Sequence, residues 1–215
     1  MVRQERAIRT REALIKSAAE AFHREGFTVA SLTAISTRAG VSNGALHFHF
    51  ASKAALADAV EEAALQRLQS VTRLSSATAE GCLQHLVDVS HALARGLVAD
   101  VVLRAGFELG GDPARPQRTE LRRQWRHWVE RVLLEAARAG ELRAGVTPDQ
   151  AARAVVAAMV GFEVLGARDA TWLRPPIISQ FWQLLLPTLA SRAVLATLVT
   201  TGTATVRQAQ QPAGG

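Results

Sequence analysis

The sequence predicts an all-α fold, and three observations carry that reading. Apolar residues recur at three- and four-residue spacing along most of the chain. The valine pairs sit among alanines and leucines at the same spacing, without the period-two alternation of a strand. Several of the periodic runs open at Ser or Thr and close at Gly, the residues that start and stop helices.

Taken in order, Arg9 to Glu25 carries Leu14, Ile15, Ala18, Ala19 and Phe22 on one stripe, with Thr10 placed to cap the helix and Gly26 to end it. Ser31 can cap a short helix that runs through Arg38 and stops at Gly40. Ser42 to Phe50 forms another, with Ser42 as N-cap and with Val41 and Leu46 at the two positions of a hydrophobic staple. Ser52 caps a longer helix on which Leu56, Val60, Ala64 and Leu68 step by four. Past a polar break at Ser75 to Thr78, helices are expected from about Glu80 to Arg95 and from Val98 to Leu109. "GGDPARPQRTE" then reads as a surface loop. Leu121, Trp125, Trp128, Val132 and Ala136 mark one face of a helix ending near Gly140. Thr147-Pro148-Asp149-Gln150 combines a Thr N-cap, Pro at N1 and Gln at N3 to launch the next. Pro175-Pro176 starts a final apolar helix expected over Ile177 to Leu198, and the tail after about Thr200 has no evident reason to be ordered.

Composition bounds the function. At 48% hydrophobic and 20% charged residues the 215-residue chain is a folded protein with a real core. No run is apolar enough to cross a bilayer and no secretion signal opens the chain, so a cytoplasmic protein without membrane contact is expected. Cys82 is alone, which excludes an internal disulfide and a thiolate metal cluster. The net charge of +6 is unevenly placed: Met1 to Lys53 holds eight Arg or Lys against four Glu. That end suits an anionic partner.

Two short helices on a tight turn, the second led by small polar residues, make a helix-turn-helix able to enter a major groove about 12 Å wide. Ser42 caps the second helix, while Gly44 and Ala45 keep its leading end slim. Arg3, Arg6, Arg9 and Arg11 form a basic arm with Lys16 behind it, and Lys53 is placed to reach a further phosphate. Asn43 is the best candidate for a base-edge hydrogen bond, and Phe48 and Phe50 are expected to anchor the short helix in the core. The bland alternative for Ser42, Asn43, His47 and Lys53 is capping and solvation, but it must also explain the basic end and the turn spacing.

These residues carry a resemblance. Phe22, Gly26 and Phe27, then Ile35, Ala39, Gly40 and Val41, then Gly44, Leu46, His49, Phe50, Lys53 and Leu56 stand at the spacings of the DNA-binding domain of the TetR family of repressors. The resemblance implies a three-helix helix-turn-helix domain over residues 1–53, a helical ligand-binding and dimerisation domain over 54–200 and a flexible tail over 201–215. It implies a homodimer on a palindromic double-stranded DNA operator, with Thr10, Ser31 and Thr33 joining Arg3, Arg6, Arg9, Ser42, Asn43, Gly44, Ala45, His47, His49 and Lys53 as the DNA-facing set. This chain departs from the family pattern at His47, where a Tyr is usual. A histidine donates one hydrogen bond when neutral and two when charged, so its phosphate contact should strengthen as pH falls through the ordinary imidazole range.

Dimerisation has a purpose, since two half-sites a turn apart, about 34 Å, need two reading heads. The last two long helices offer Val155, Met159, Phe162, Phe181, Trp182 and Leu185 as an interface, with burial against the same chain as the alternative for each. The whole chain also resembles the TetR-like receptors for gamma-butyrolactones, butenolides and furans, through "QERAIRTREALIKSAAEAF", "VVLRAGFEL" and "QWRHWVERVLLEAARAGEL". That likeness implies a small apolar ligand near Trp125, with Leu86, Val102, Phe107, Trp128, Val132, Val160 and Phe162 as further wall, displacing the fourth helix on entry. The basic pI of about 11.0 points within that subgroup to pseudo-receptors that answer to antibiotics or intermediates. Packed core is the competing reading of the Trp pair.

No cofactor or metal is expected and the chain does not read as an enzyme. Its six histidines form no His-Glu-x-x-His set, and no Cys cluster, phosphate loop or nucleophile elbow is present. His85 and His91 read as surface or satisfied core. A helical carrier or partner-binding protein without DNA affinity is the rival of another class.

Overall fold

The computed structural model describes residues 2–73, 81–115 and 120–203; the side chains of Val2 and Arg3 lie outside that description, as does the expected break at Ser75 to Thr78. The described residues form α1 (Val2–Val29), α2 (Leu32–Arg38), α3 (Asn43–His49), α4 (Lys53–Arg73), α5 (Cys82–Ala99), α6 (Val101–Gly110), α7 (Glu120–Arg138), α8 (Pro148–Gly166), a 3-10 turn (Ala170–Leu173), α9 (Pro175–Leu189) and α10 (Arg192–Leu195). No strand occurs among them; the sole sheet-like pairing described is one antiparallel bridge between Leu142 and Ala190. The chain divides into two compact units, Met1–Leu68 with Ala99–Arg122, and Gln69–Val98 with Arg123–Gly215.

In the first unit α1 is longer than the spacing suggested. Thr10 therefore lies inside a helix rather than at its start, its hydroxyl donating to the Arg6 carbonyl at 2.9 Å. Gly26 takes φ 78°, a left-handed value that kinks the helix where a side chain would be strained. Leu14, Ala18 and Phe22 then bury against Ile35, Leu46, Leu56 and Val60, with Val102, Ala105 and Leu109 of α6 completing the core. Asp100 ends α5 and caps α6, accepting from Val102 N at 2.9 Å and Leu103 N at 3.3 Å, which places the break after Ala99 instead of at Arg95. Gly106 allows α6 to lie against α4: a Cβ there would stand 2.2 Å from that of Ala64.

The loop read as a surface feature is anchored at Arg115, whose side chain is 6% exposed. Its guanidinium donates to Asp58 at 2.7 Å and Glu61 at 2.6 Å on α4 and lies 5.0 Å from the centre of the Phe27 ring. Residues 116–119 of that loop lie outside the described residues. Nearby, Arg104 Nη1 is 3.1 Å from His23 Nε2. Arginine can only donate, so His23 carries its proton on Nδ1 and donates it to Glu108 at 3.0 Å.

The second unit is organised on α5, which is buried on nearly every side from Cys82 to Ala94. Its first amides are capped from far along the chain: Cys82 N and Leu83 N each donate to the Glu141 carboxylate at 2.8 Å. Burial, and then the adjacent Glu141 charge, push the Cys82 thiol up to about 11, so it stays protonated and inert near neutrality. The Thr147 capping box forms as the spacing predicts, each arm at 3.3 Å. The helix begun at Pro175 ends at Leu189 rather than Leu198, because Ala190 turns extended and Ser191 N is taken by the Glu141 carbonyl at 2.7 Å. The expected tail is held at its start: Thr203 donates through N and Oγ1 to Asp88, and Gln84 Oε1 accepts from Val199 N at 2.8 Å. Residues 204–215 lie outside the described residues.

Candidate functional site

Two regions bring the expected functional residues together, one in each unit. In the first, the α2–α3 turn is closed by Gly40 N to Thr37 O at 3.1 Å and Val41 N to Ser36 O at 3.0 Å, and Ser42 Oγ caps α3 by accepting from Ala45 N at 3.1 Å. Leu46, fully buried, and Phe50, 4% exposed, pin α3 to the core. Phe48 is not an anchor: it is 83% exposed. The reason is angular, since Leu46 faces the core and a residue two positions on, about 200° round the helix, faces away. Gly44 shares that outward side, His47 and Asn43 are exposed on the flank nearer α2, and His49, half-buried, meets Phe48 edge-on at 5.3 Å.

The DNA-facing candidates differ in how free they are. Ser36 Oγ lies 2.6 Å from Asn43 Oδ1, so one end of the Asn43 amide is tied to α2. A bidentate grip on adenine needs both ends. Lys53 Nζ donates to the carbonyls of Thr28 at 2.8 Å and Ala30 at 3.1 Å and sits 5.0 Å from the Phe27 ring centre, which leaves one of its three protons for a phosphate. Arg9 makes a loose exposed pair with Glu5 at 3.6 Å, and Arg11 lies over Phe50. Arg6, Ser31, Thr33 and His47 are exposed; Thr10 and Ala45 are half-buried, and Ser31, although at the N-cap of α2, makes no capping bond. The Arg3 side chain lies outside the described residues.

The second region is the aromatic centre of the C-terminal unit. Trp125, 1% exposed, stacks on Trp128 with centroids 5.1 Å apart, and His85 meets Trp128 edge-on at 5.3 Å. Leu86 and Val132 are buried in the same unit, and Val160 and Phe162 are half-buried on α8. Val102 and Phe107, expected in the same wall, belong to the N-terminal unit. Trp125 Nε1 and His85 Nδ1 are buried without a hydrogen-bond partner. His85, read from sequence as surface or satisfied core, is neither: it is 6% exposed with one nitrogen unmatched. Burial lowers its pKa below the ordinary 6.5 despite the opposing charges of Asp88 and Glu135. Its signal in the sequence was its place one residue before Leu86, off the polar stripe that Gln84, Asp88 and His91 form at i, i+4 and i+7 on the same helix.

On α8 and α9, Val155, Met159 and Trp182 are buried within the single chain. They back a surface rather than form it. Phe162 and Phe181, 5.5 Å apart and half-buried, lie at its edge with Leu185, and the exposed apolar residues that sequence reasoning left out are Leu184 at 80%, Val164 and Leu165.

Comparison with known proteins agrees with this geometry. Residues 14–60 match the family described as bacterial regulatory proteins, tetR family, and residues 80–191 match the tetracyclin repressor-like C-terminal domain. The A-factor receptor protein of Streptomyces griseus is 30% identical over 208 residues, covering 91% of this chain and 69% of its own. The crystal structure of a gamma-butyrolactone receptor (ArpA-like protein) superposes with a TM-score of 0.76 at 28% identity, over 94% of this chain and 99% of that one. CprB of Streptomyces coelicolor, in complex with its biological operator sequence, gives 0.74 at 30% identity over 89% and 93%. With both parts of the family matched along its length, this chain belongs to the TetR family of bacterial transcriptional regulators.

Proposed function

We propose that the protein is a homodimeric repressor that holds a palindromic operator through paired α3 helices and lets go when a small, largely apolar signal of the gamma-butyrolactone or butenolide type enters beside Trp125. As a member of its family the chain is a DNA-binding regulator and not an enzyme. One observation carries the ligand reading: an aromatic centre closed to water keeps a donor, Trp125 Nε1, and a ring nitrogen, His85 Nδ1, unmatched. An unmatched buried polar atom costs about 1–3 kcal/mol. A ligand with an oxygen acceptor for Trp125 and a hydroxyl for His85 recovers that cost on binding, while its apolar remainder packs among Leu86, Trp128 and Val132. A lactone carbonyl beside a hydroxyl has that pattern. Ligand affinity then shifts the DNA-competent population only by its difference between the two states.

The dimer reading rests on the apolar stretch at Leu184, Leu185, Phe162 and Phe181. Leu184→Glu should lower the mass seen in sedimentation to that of one chain and weaken operator binding with it; an unchanged dimer removes this surface from the interface. His47→Phe should weaken duplex binding, read as loss of the retarded band at a fixed protein concentration and low salt.

The test of the whole reading is selection of bound duplexes at low salt, followed by release with candidate lactones, butenolides and antibiotics. A palindrome with half-sites about 34 Å apart, released by a lactone or butenolide, is the expected result. No retained duplex, even at low salt, would end the reading. The basic pI of about 11.0 favours one second reading, in which an antibiotic or biosynthetic intermediate is the releasing compound. Release by such a compound and by no lactone would select it.

A further inference from the structure

The outward side of α3 holds one side chain that the core does not explain. Phe48 leaves 83% of its surface in water on a helix only seven residues long. Its companions there are small or polar: Gly44 one turn back, His47, and His49, whose ring meets it edge-on at 5.3 Å. A helical side chain leans back over the preceding turn, so the Phe48 ring covers the stretch that begins at Gly44. Nothing inside the chain demands a glycine at that position, where a Cβ would meet only Ser42 Oγ at 3.8 Å. The missing side chain leaves the ring open from the N-terminal side.

The surroundings choose the occupant. A lone exposed aromatic beside two imidazoles, His47 in sequence and His49 edge-on at 5.3 Å, in the stretch Met1 to Lys53 that holds eight Arg or Lys against four Glu, is a poor patch for another protein and a good one for a polyanion with a single apolar feature. In the major groove that feature is the C5-methyl group of thymine. Asn43, whose Oδ1 accepts from Ser36 Oγ, has its amide drawn toward α2 and is less free to swing onto a base edge. We infer that Phe48 reads a thymine, its ring packing on the C5-methyl at one defined position of each operator half-site. This rests on the DNA-reading assignment above and adds the residue and the base group that set part of its specificity.

The experiment exchanges thymine for uracil, which removes that methyl and keeps every hydrogen-bonding group. With the operator recovered by selection, each thymine is replaced in turn, in both half-sites together, and affinity is measured for the full-length protein and for Phe48→Ala. Wild type should lose about fourfold per half-site at one position, the factor for one methyl-sized group, and little elsewhere. Phe48→Ala, a change at an exposed site, should melt like wild type, bind the thymine duplex more weakly and no longer distinguish uracil there; Phe48→Leu should recover part of the distinction. Wild type indifferent to uracil at every position overturns the inference. So does a Phe48→Ala protein that keeps the full preference, or one that changes its oligomeric state and leaves base preference intact. If wild type retains no duplex at all, it is the DNA-reading assignment that falls, a result separate from each of these.

Discussion

The two units keep their candidate functional chemistry in opposite places. On the N-terminal unit it is displayed: His47 and Phe48 face solvent, while the residues that hold them, Leu46 and Phe50, are buried. In the C-terminal unit it is enclosed, with Trp125 and His85 buried and one nitrogen of each unmatched. The contrast matches the size of what each is proposed to meet. A duplex cannot enter a core, so its reader has to be a surface, whereas a small apolar compound is held by being surrounded. One consequence is that changes at the displayed residues should act on DNA binding, and changes at the enclosed aromatic pair on response.

That division can be broken, and the hardest blow falls at Arg115. Arg115→Ala takes a buried guanidinium away from Glu61 and Asp58 and should cost about 1.5–3 kcal/mol in chemical denaturation together with duplex affinity. A loss under 1 kcal/mol would show that the loop does not hold the reading unit. Glu141→Gln comes next, since a charge that accepts two α5 amides is replaced by an amide with one acceptor; about 1–3 kcal/mol should be lost on thermal melting. With the charge gone the Cys82 thiol should also drop below about 11 and react faster with a thiol reagent at pH 9. Trp125→Phe keeps the packed ring and removes only Nε1–H. Its expected signature is unchanged duplex binding with about tenfold more inducer needed for release, the worth of one hydrogen bond; equal loss of both would blur the division.

The smallest effect is a pH dependence. His85 is held below 6.5 by burial, so the folded body resists its protonation. Stability should be level above pH 6.5 and decline as pH falls below it, where the unfolded chain binds the proton first. In His85→Phe that decline should be shallower, as read from melting temperatures between pH 5 and 8.

Much of the fold was legible because its signals are local. Ser42, Ser52 and the Thr147 box cap the helices they precede, and the Leu121 to Ala136 stripe is buried along its length. What escaped depends on partners distant in sequence. Nothing near Arg115 announces that Asp58 and Glu61 wait for it, and nothing near Ala190 announces that Glu141 will take the next amide. Phe48 was misjudged for a different reason: aromatic character suggests burial, while its position relative to Leu46 fixes exposure, and in so short a helix the angle decides. In the body the stripe that carries Trp125 was readable, but an unmatched nitrogen is a property of packing and leaves no trace in residue order.

The clasp between Val199–Thr203 and α5 bears on how this protein can be handled. Asp88 and Gln84 are 1% and 3% exposed, and that short segment lies on both and bonds to them. A chain cut after Leu198 would open a carboxylate, an amide and the His91 ring, whose Nε2 meets the Thr200 carbonyl, to solvent along one side of its central helix. Affinity handles and reporters are therefore best attached beyond Thr203, and a shortened version should be judged first by its solubility.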